Sequence, residues 1–347
     1  MGLNFPEDLD GWGRWQRSRN RLRTIKAALR TPAPVDLVLL HTGPAPRVLI
    51  ALDATTPTAL AAILRPAASL PADQVAVLAP RAVAEHLLRE QLFVAPELRS
   101  IDGSAPCPET LSEVRAVVSA GYFLIAGATA HRWAIELGAT YCVVQHGLLT
   151  PFAPPLPAGA TLFAFSEADG EFWRSGRSDV TVKAVGSQLL WNAADSAPAQ
   201  TSDPHERPVF LGQLHGAELP RSLSARTATA FCAQTGATYR PHPAETDRLS
   251  RWQHRKWERQ GIELDRVGAP LSEGPPVVAI FSTGILEAAA AGVPAWVTGI
   301  NPPEWVHEFW HRYGLAPWGG APTPPPIQPA IEPGEHIARQ IEKLVKR

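Results

Sequence analysis

The stretch Thr238–Asp247, TYRPHPAETD, lies between two helix-like segments and marks the end of a buried strand. Proline stops a strand and can open a helix, because its fixed φ suits the first helical position. His242 is therefore expected at the carboxyl edge of a strand, beside the amino terminus of a helix. In an open parallel sheet this edge is where ligands bind. The stretch predicts an α/β fold in which His242 faces a ligand.

Short β-rich segments alternate with helical ones on both sides of this stretch. The predicted strands of the first half are VDLVLL (35–40), RVLIAL (47–52), QVAVLA (74–79), VRAVVS (114–119), YFLIAG (122–127), TYCVVQHG (140–147), TLFAFS (161–166) and VTVKAVG (180–186). Those of the second half are PVFLGQ (208–213), TYRPHP (238–243), VVAIFSTG (277–284) and PAWVTG (294–299). Strands alternating with helices of this length predict βαβ units and a parallel sheet in each half.

The chain is long enough for two domains, since 347 residues exceed what one hydrophobic core usually organises. The polar stretch ADSAPAQTSDPHE is the best linker candidate. The predicted division is a basic segment at 1–30, a Rossmann-like acceptor domain at 31–193 and the linker at 194–206. A second Rossmann-like domain at 207–320 would bind the nucleotide donor, and 321–347 would form a proline-rich stretch with a final helix. A ligand cleft is expected between the two Rossmann-like domains.

Composition excludes several classes of protein. A net charge of −1 provides no basic field for nucleic acid, so no nucleic-acid partner is expected. Three widely spaced cysteines are typical of a reducing compartment. The sequence contains no CxxC pair, so a zinc knuckle is not expected. The longest apolar runs are strand length, far below the about 20 residues of a membrane span. These features predict a cytoplasmic protein.

The amino-terminal segment has a strong local charge bias. Seven basic residues and no acidic one lie between Arg14 and Arg30. Trp12, Trp15 and three later aliphatic residues fall near one face of a helix (Leu22, Ile25, Leu29). Residues 12–30 could therefore lie on an anionic membrane surface, peripheral to the inner face of the cell membrane. The alternative is a terminal helix that packs its apolar stripe on the domain.

A second polar junction follows a later strand, in FSTGILEAAAAGVP (281–294). Ser282, Thr283 and Gly284 stand between the strand and a helix, where hydroxyl groups and free backbone N–H groups can bind an anion. Glu287 lies one turn into that helix and could reach ribose hydroxyl groups. The alternative is an ordinary Ser/Thr helix cap with a solvated glutamate.

The two junctions together point to one phosphate. His242 and Ser282 are 40 residues apart, so neighbouring strands would present both to the same group. An N–H-donating or protonated His242 would stabilise charge on a leaving phosphate. Arg240 lies two residues before His242 and is a lower-ranked candidate for the same site. Gln213, at the end of the strand PVFLGQ, is assigned to the donor site as well.

In the first half, YCVVQHGLLTPF ends a buried strand in Gln145-His146-Gly147. His146 would face the cleft opposite the phosphate site. There it could remove a proton from an acceptor hydroxyl, because histidine titrates near neutral pH. The alternative is a histidine that only lines the cleft or packs between domains.

VVQHGLL, YRPHPAE and FSTGILEAAAAGVPAWV, in this order, resemble the metal-independent GT-B glycosyltransferases. Among these they are similar to the CDP-glycerol glycerophosphotransferases of teichoic acid synthesis and to the bacterial sialyltransferases and polysialyltransferases. The resemblance covers roughly Tyr141 to Gly299 and implies two Rossmann-like domains with a cleft between them. It implies that His242, Ser282 and Thr283 bind the nucleotide and phosphate of the donor, and that His146 is the base.

The resemblance implies a metal-independent transferase without a cofactor. A glycosyl or polyol-phosphate group would pass from a nucleotide-activated donor, CMP or CDP type favoured and UDP possible, to a hydroxyl acceptor in cell-envelope polymer synthesis. A lipid-linked acceptor would suit the basic amino terminus. Two departures stand out: Gln145 replaces the tryptophan usual in the teichoic acid enzymes, and only Asp169-Gly170 matches the Asp-Gly of the sialyltransferases. Asp169 is therefore a second candidate for the base.

Other functions remain open on the sequence. His307, Glu308 and His311 match H-E-x-x-H, the pattern of a zinc hydrolase, whose third ligand would come from one of three later residues (Glu332, Glu335, His336). A nucleotide-sugar epimerase of the same fold would use the same donor site without an acceptor. A non-catalytic binding module would tolerate the loss of His146 and His242. The glycine-rich GxGxxG turn of dinucleotide-dependent oxidoreductases and the GxxxxGK[ST] phosphate loop are absent.

Overall fold

The structure, a computed structural model, describes residues 2–19, 36–94, 98–196, 206–268 and 270–346. The chain divides into two compact units. The first unit comprises Met1–Leu189 and Pro329–Arg347, and the second comprises Leu190–Gln328. Most of the predicted linker, residues 197–205, lies outside the described residues.

Twelve strands are found in the described parts of the chain. Those of the first unit are β1 (Leu37–His41), β2 (Val48–Ala51), β3 (Val75–Pro80), β4 (Arg99–Ile101), β5 (Ala116–Ser119), β6 (Thr140–Val144), β7 (Thr161–Ala164) and β8 (Thr181–Ala184). Those of the second unit are β9 (Val209–Leu211), β10 (Thr238–Arg240), β11 (Val277–Ala279) and β12 (Ala295–Val297).

Helices separate most of these strands. They are α1 (Leu9–Arg19), α2 (Pro57–Ala59), α3 (Arg81–Arg89), α4 (Ile125–Leu137), α5 (Glu167–Arg174), α6 (Gln188–Asp195), α7 (Arg221–Thr235), α8 (Arg248–Arg259), α9 (Gly284–Ala290), α10 (Glu304–Arg312) and α11 (Pro333–Val345). Thr56 caps α2, since its hydroxyl accepts a hydrogen bond from the Ala59 N–H at 3.3 Å. A tighter helical segment, Arg65–Ser69, ends this region.

The first unit contains an eight-stranded sheet in the order β4-β1-β3-β2-β5-β6-β7-β8. From β3 to β8 all neighbours are parallel, as predicted. β1 is the exception, because it runs antiparallel to both β3 and β4. Residues 42–47 are all that joins β1 to β2, and a parallel crossover needs about a dozen residues or more. The short connection therefore reverses β1.

The predicted strand YFLIAG (122–127) is wrong, because α4 begins within it. The carboxylate of Asp53, just after β2, accepts hydrogen bonds from the N–H groups of Ala126 and Gly127 at 2.8 and 3.0 Å. These are among the first N–H groups of α4, which have no partner inside the helix. A long-range cap thus makes this apolar run helical, which its composition does not reveal.

The last helix, α11, completes the core of the first unit. Ile337, Ala338 and Ile341 are each no more than 2% exposed and pack with aliphatic residues of the sheet. Gln188 joins this segment to the start of α6, because its side-chain oxygen accepts the Gly334 N–H at 2.7 Å and its amide donates to Glu332 at 3.0 Å. The carboxyl terminus is therefore an integral part of the first unit.

The amino-terminal helix α1 is held by aromatic contacts within the first unit. Trp12 is 6% exposed and donates its indole N–H to the Phe152 carbonyl at 2.8 Å. The Trp15 ring stacks on Phe152 at 4.7 Å between centroids. Both predicted interfacial tryptophans therefore pack on the protein, while the rest of the basic segment, residues 20–30, lies outside the described residues. Within the described parts of the chain, no helix is both long and apolar enough to cross a membrane.

The second unit has a four-stranded sheet in the order β10-β9-β11-β12, and each pair of neighbours is parallel. Its core contains an aromatic cluster in which the Tyr239 ring lies 4.4 Å from Trp257 and 6.0 Å from Phe210. Asp247 caps helix α8, and its carboxylate accepts the N–H groups of Leu249 and Ser250. This cap places α8 directly after the His-Pro turn.

Candidate functional site

Three loops of the second unit leave the sheet at the same edge, following β9, β10 and β11. Because β9 lies between β10 and β11, the prediction that the strands before His242 and Ser282 are neighbours is wrong. The chain starts in the middle of the sheet with β9, adds β10 on one side and then crosses to β11 on the other. Such a reversal is the switch point at which open α/β sheets bind ligands. The loop after β9, residues 212–216, is therefore the centre of the edge.

His242 is exposed in the loop after β10, and its ring has a defined tautomer when neutral. The Ala244 N–H donates a hydrogen bond to Nδ1 at 3.1 Å. A neutral ring carries one proton, which must then lie on Nε2. Partial desolvation lowers the pKa of His242, against an opposing effect of Glu245. Near neutral pH, His242 thus presents an Nε2–H donor to solvent.

A second histidine, which the sequence predictions missed, lies against the first. The rings of His215 and His242 stack with centroids 3.8 Å apart and planes 17° apart. His215 belongs to QLHG (213–216), directly after β9. His215 could have been predicted from the similarity of QLHG to QHG (145–147), which also ends a strand. The stack joins the β9 and β10 loops at this edge of the sheet.

Beneath this pair lies a buried carboxylate, that of Glu245, whose side chain is fully buried. One oxygen accepts the Leu214 N–H at 2.9 Å and the Tyr239 hydroxyl at 3.0 Å. The other accepts a hydrogen bond from His254 Nε2 at 2.8 Å. Burial, and then the nearby Glu245, raise the pKa of Tyr239 well above its ordinary value. Glu245 thereby fixes the backbone that carries His215 relative to that of His242.

Gly212 permits the close approach of these loops. A Cβ atom there would lie 2.5 Å from the Tyr239 hydroxyl oxygen, 2.7 Å from Glu245 Oε1 and 2.8 Å from the Arg240 carbonyl oxygen. No real Cβ contact is that short, so any larger residue must displace the turn after β9.

On the other side of β9, Gln213 links the first loop to the third. Its side-chain oxygen accepts the Phe281 N–H at 3.1 Å. Ser282 and Thr283 follow directly, and the Ser282 hydroxyl accepts the Gly284 N–H at 3.2 Å. Gly284 is buried, and a Cβ there would lie 2.8 Å from Leu211 Cδ1. The predicted residues Gln213, Ser282, Thr283 and Gly284 thus belong to adjoining loops of one edge.

Glu287 and Arg240 differ in their surroundings. Glu287 is partly buried in the first turn of α9, and desolvation raises the pKa of its carboxyl group. Arg240 forms an ion pair with Asp265, with an Nε–Oδ2 distance of 2.8 Å. Although burial alone would raise it, hydrogen bonds from Arg240 and Gly268 lower the pKa of Asp265. The guanidinium of Arg240 is thus engaged within its own unit.

In the first unit, His146 follows β6 at the carboxyl edge of that sheet. It is half-buried and lines a small cavity of about 10 Å³ together with Gln145, Gln188 and Ile337. A space of this size holds about one water molecule. Nδ1 is buried and has no hydrogen-bond partner among the described residues. Burial lowers the pKa of His146, against an opposing hydrogen bond with the Val144 backbone, so the ring is neutral near neutral pH.

Asp169, the other candidate base, is buried in the first turn of α5. The Ser166 hydroxyl accepts the Asp169 N–H and donates to its carboxylate, both at 3.1 Å. Ser166 is therefore the N-cap residue of α5, and Asp169 lies at the third helical position. Asp169 therefore has a structural function at the start of α5.

Gln145 forms the same kind of hydrogen bond as Gln213. Its side-chain oxygen accepts the Phe165 N–H at 2.8 Å, and its amide donates to the Gly147 carbonyl at 3.0 Å. In both units a glutamine after a strand thus binds the backbone that follows the next strand of the sheet. These glutamines hold the loops carrying His146 and His215.

The H-E-x-x-H residues lie on α10 in the second unit. Glu308 forms an ion pair with Arg312 at 3.1 Å, and the His307 ring contacts Trp310. Among the described residues there is no group of three or more His, Cys, Asp or Glu that could hold a metal ion. The proposed third ligands belong to the first unit, where Glu332 pairs with Arg65. Within the described part of the chain, the motif is therefore not joined by a third potential zinc ligand.

No protein-family model matches the chain, and no curated protein sequence matches it. It is similar to the UDP-GlcNAc 2-epimerase of Methanocaldococcus jannaschii, solved with UDP-GlcNAc and UDP, with a TM-score of 0.53 and 15% identity over 85% of this chain and 99% of that one. S. aureus MnaA bound to UDP has a TM-score of 0.49 and 12% identity, over 86% and 89% of the chains. A glycosyltransferase of Rickettsia africae has a TM-score of 0.44 and 10% identity, over 87% and 88%. The first similarity confirms the predicted fold: α/β, GT-B, with two Rossmann-like domains.

Proposed function

We propose that this protein is a metal-independent GT-B enzyme that transfers a glycosyl or polyol-phosphate group from a nucleotide-activated donor to a hydroxyl acceptor. The second unit binds the donor at the edge formed by the loops after β9, β10 and β11. Support comes from the fold and from the Methanocaldococcus enzyme, which was solved with a nucleotide sugar.

The observation that carries the proposal is the proton position on His242. Because Ala244 occupies Nδ1, a neutral His242 offers Nε2–H to a ligand. A phosphate oxygen is the matching acceptor, and hydrogen bonds to charged groups are the stronger ones. In the transfer step, charge grows on the leaving phosphate, and a fixed donor stabilises it without a metal ion. Ser282 and Thr283 would add hydroxyl donors, and Glu287 would bind the ribose.

His146 is the proposed base of the first unit. A neutral imidazole accepts the proton of an attacking hydroxyl, and the lowered pKa of His146 keeps the ring neutral near pH 7. Asp169 is the second candidate, although its carboxylate already takes part in the cap of α5.

The donor base and the acceptor follow from the sequence resemblance. It favours a CMP or CDP donor, whereas the Methanocaldococcus enzyme supports UDP. A hydroxyl acceptor of cell-envelope polymer synthesis, attached to a lipid, is proposed on the same basis. The proposed location is the cytoplasm or the inner face of the cell membrane.

Epimerisation of a nucleotide sugar is the second candidate function. The specific observation in its favour is the similarity to the Methanocaldococcus 2-epimerase along 99% of that enzyme's length. An epimerase would use the same phosphate site but would return the nucleotide still bound to the sugar.

The two functions differ in their products. Purified protein would be incubated with EDTA and with UDP-GlcNAc, CDP-glycerol or CMP-sialic acid, with and without a polyol acceptor, and the products analysed by mass spectrometry and NMR. Acceptor-dependent release of free nucleotide supports the transferase, and an epimer formed without release supports the epimerase. His86→Ala, which replaces a half-buried histidine on α3 of the first unit, is the control for His242→Ala. Turnover that requires an added divalent metal, or that survives in His242→Ala, would contradict the proposal.

A further inference from the structure

Helix α8 of the second unit is sharply two-sided. Ser250, His254 and Trp257 lie on its inner side and are buried. At about 100° per residue, the outer side is one continuous arc of about 160°. Five basic residues lie on this arc, and all are exposed (Arg248, Arg251, Arg255, Lys256, Arg259). We call this arc the basic face of α8.

Among the described residues, no acidic side chain neutralises the charge of the basic face. None of its five basic side chains forms an ion pair with an acidic side chain in the described part of the chain. The acidic residue of the helix, Glu258, pairs instead with Arg266 at 2.8 Å. Asp247, at the cap, pairs with Arg221 at 3.0 Å. Since the whole chain has a net charge of −1, the basic face is a local concentration of positive charge.

Two large apolar side chains lie on the same arc. Trp252 is 54% exposed and Leu249 is 49% exposed. The ammonium of Lys256 lies 5.7 Å from the centroid of the Trp252 ring. Exposure of the indole and isobutyl groups to water is unfavourable, and both are surrounded by cationic side chains. They match a surface with both anionic and apolar layers.

We propose that the basic face of α8 is a docking surface for an anionic phospholipid bilayer. Anionic headgroups attract the five cations, while Trp252 and Leu249 enter the boundary between headgroups and acyl chains. A soluble polyanion such as RNA would satisfy the charges but would leave Leu249 in water. The lipid surface is therefore the partner that accounts for both features.

This surface is distinct from the amino-terminal segment, residues 12–30, for which the sequence also predicts membrane contact. In that segment Trp12 and Trp15 are engaged with Phe152. On α8 the indole faces solvent. The two surfaces can therefore be separated by substitution.

The test uses full-length protein and vesicles of phosphatidylglycerol mixed with phosphatidylcholine, with flotation as the readout. The triple variant R248Q/R255Q/R259Q should bind about 100-fold more weakly, because each cation near an anionic surface contributes about fivefold. R21Q/R23Q/K26Q removes the same charge from the amino-terminal segment. Because the proposal assigns the membrane contact to α8, this variant should bind within about twofold of wild type. An unchanged α8 variant, or a loss confined to the amino-terminal variant, overturns the proposal.

The apolar part of the proposal has its own measurement. W252A should weaken flotation and remove the blue shift of tryptophan fluorescence that vesicles induce, whereas I327A, at a 99% exposed position of the same unit, should change neither. Vesicles of phosphatidylcholine alone should not bind. Binding of a single-stranded RNA oligomer without vesicle binding would assign the basic face to nucleic acid and overturn the lipid proposal.

Discussion

Glu245 brings a carboxylate into the interior of the second unit and gives each of its oxygens a donor. The donors come from the β9 loop, from β10 and from α8, so a single side chain joins these three parts of the second unit. A buried polar group is tolerated only when its hydrogen-bonding capacity is met. The positions of His215 and His242 therefore depend on Glu245.

Replacing Glu245 should lower the free energy of unfolding by an amount that grows with the number of donors left without an acceptor. E245A leaves the Leu214 N–H, Tyr239 and His254 without an acceptor, and each such buried group costs about 1–3 kcal/mol, so the free energy of unfolding should fall by about 3–5 kcal/mol. E245Q retains one acceptor oxygen and should lose less. Urea unfolding followed by tryptophan fluorescence measures both variants. If E245A were as stable as wild type, the network would have no structural role.

Gly212 provides a steric test of the same turn. A methyl group there meets the Tyr239 hydroxyl, Glu245 and a backbone carbonyl at 2.8 Å or less, so G212A should destabilise the second unit by about 1–3 kcal/mol. At Gly320 the nearest atom would be 3.9 Å away, and G320A is the matched control. Thermal unfolding compares the two, and equal midpoints would contradict the tight approach of β9 and β10.

The pH dependence of activity tests His146. Its pKa lies below 6.5 because burial disfavours the charged ring, so the neutral, basic form predominates above that value. As pH falls through the lowered pKa the ring gains a proton, and kcat should fall on an acid limb centred below 6.5. H146A should lower kcat about 100-fold or more and lose that limb. An unchanged acid limb in H146A would transfer the role of base to Asp169 or another group.

The sequence allowed part of this site to be predicted. His242, Ser282 and Thr283 could be found because each follows an apolar strand and precedes a helix, which is a local pattern. His215 and Glu245 were missed because their roles depend on β9 lying between β10 and β11. Strand order is set by non-local hydrogen bonds, and the sequence of a single segment does not show which strands it will pair with.

Among the elements, α11 shows how a sequence-distant segment completes a core. It lies at the end of the chain, beyond the whole second unit, yet its apolar stripe packs with the first sheet. Its helical period was readable from the sequence, but the surface it covers was not. Two other features also depend on information outside their own segment. The short connection after β1 decides its direction, and the distant Asp53 decides that α4 begins where it does.

Substitution within α11 should therefore destabilise the first unit. Ile341 is 1% exposed, and I341A should cost about 2–5 kcal/mol of unfolding free energy through the lost contacts and the cavity. Ile135, on α4 of the same unit, is 70% exposed, and I135A should be nearly neutral. Chemical unfolding compares the pair. Equal effects would show that α11 does not contribute to the core in solution.

At the level of the whole molecule, the GT-B fold supplies two sheets, each with a histidine after a strand at its carboxyl edge. In the second unit the order β10-β9-β11 places three loops at one switch point. The backbone of Ala244 directs the proton of His242 to Nε2. The central claim is that this edge binds the phosphate of a nucleotide without a metal ion.

Calorimetric titration with UDP, CDP, CMP and GDP, in EDTA and again with magnesium, tests that claim most directly. One nucleotide should bind equally well in both buffers, and H242A should weaken it about 10- to 100-fold, as expected for the loss of a hydrogen bond to a charged group. H86A should leave the affinity unchanged. Absence of binding by every nucleotide, or equal affinity in H242A, would contradict the account.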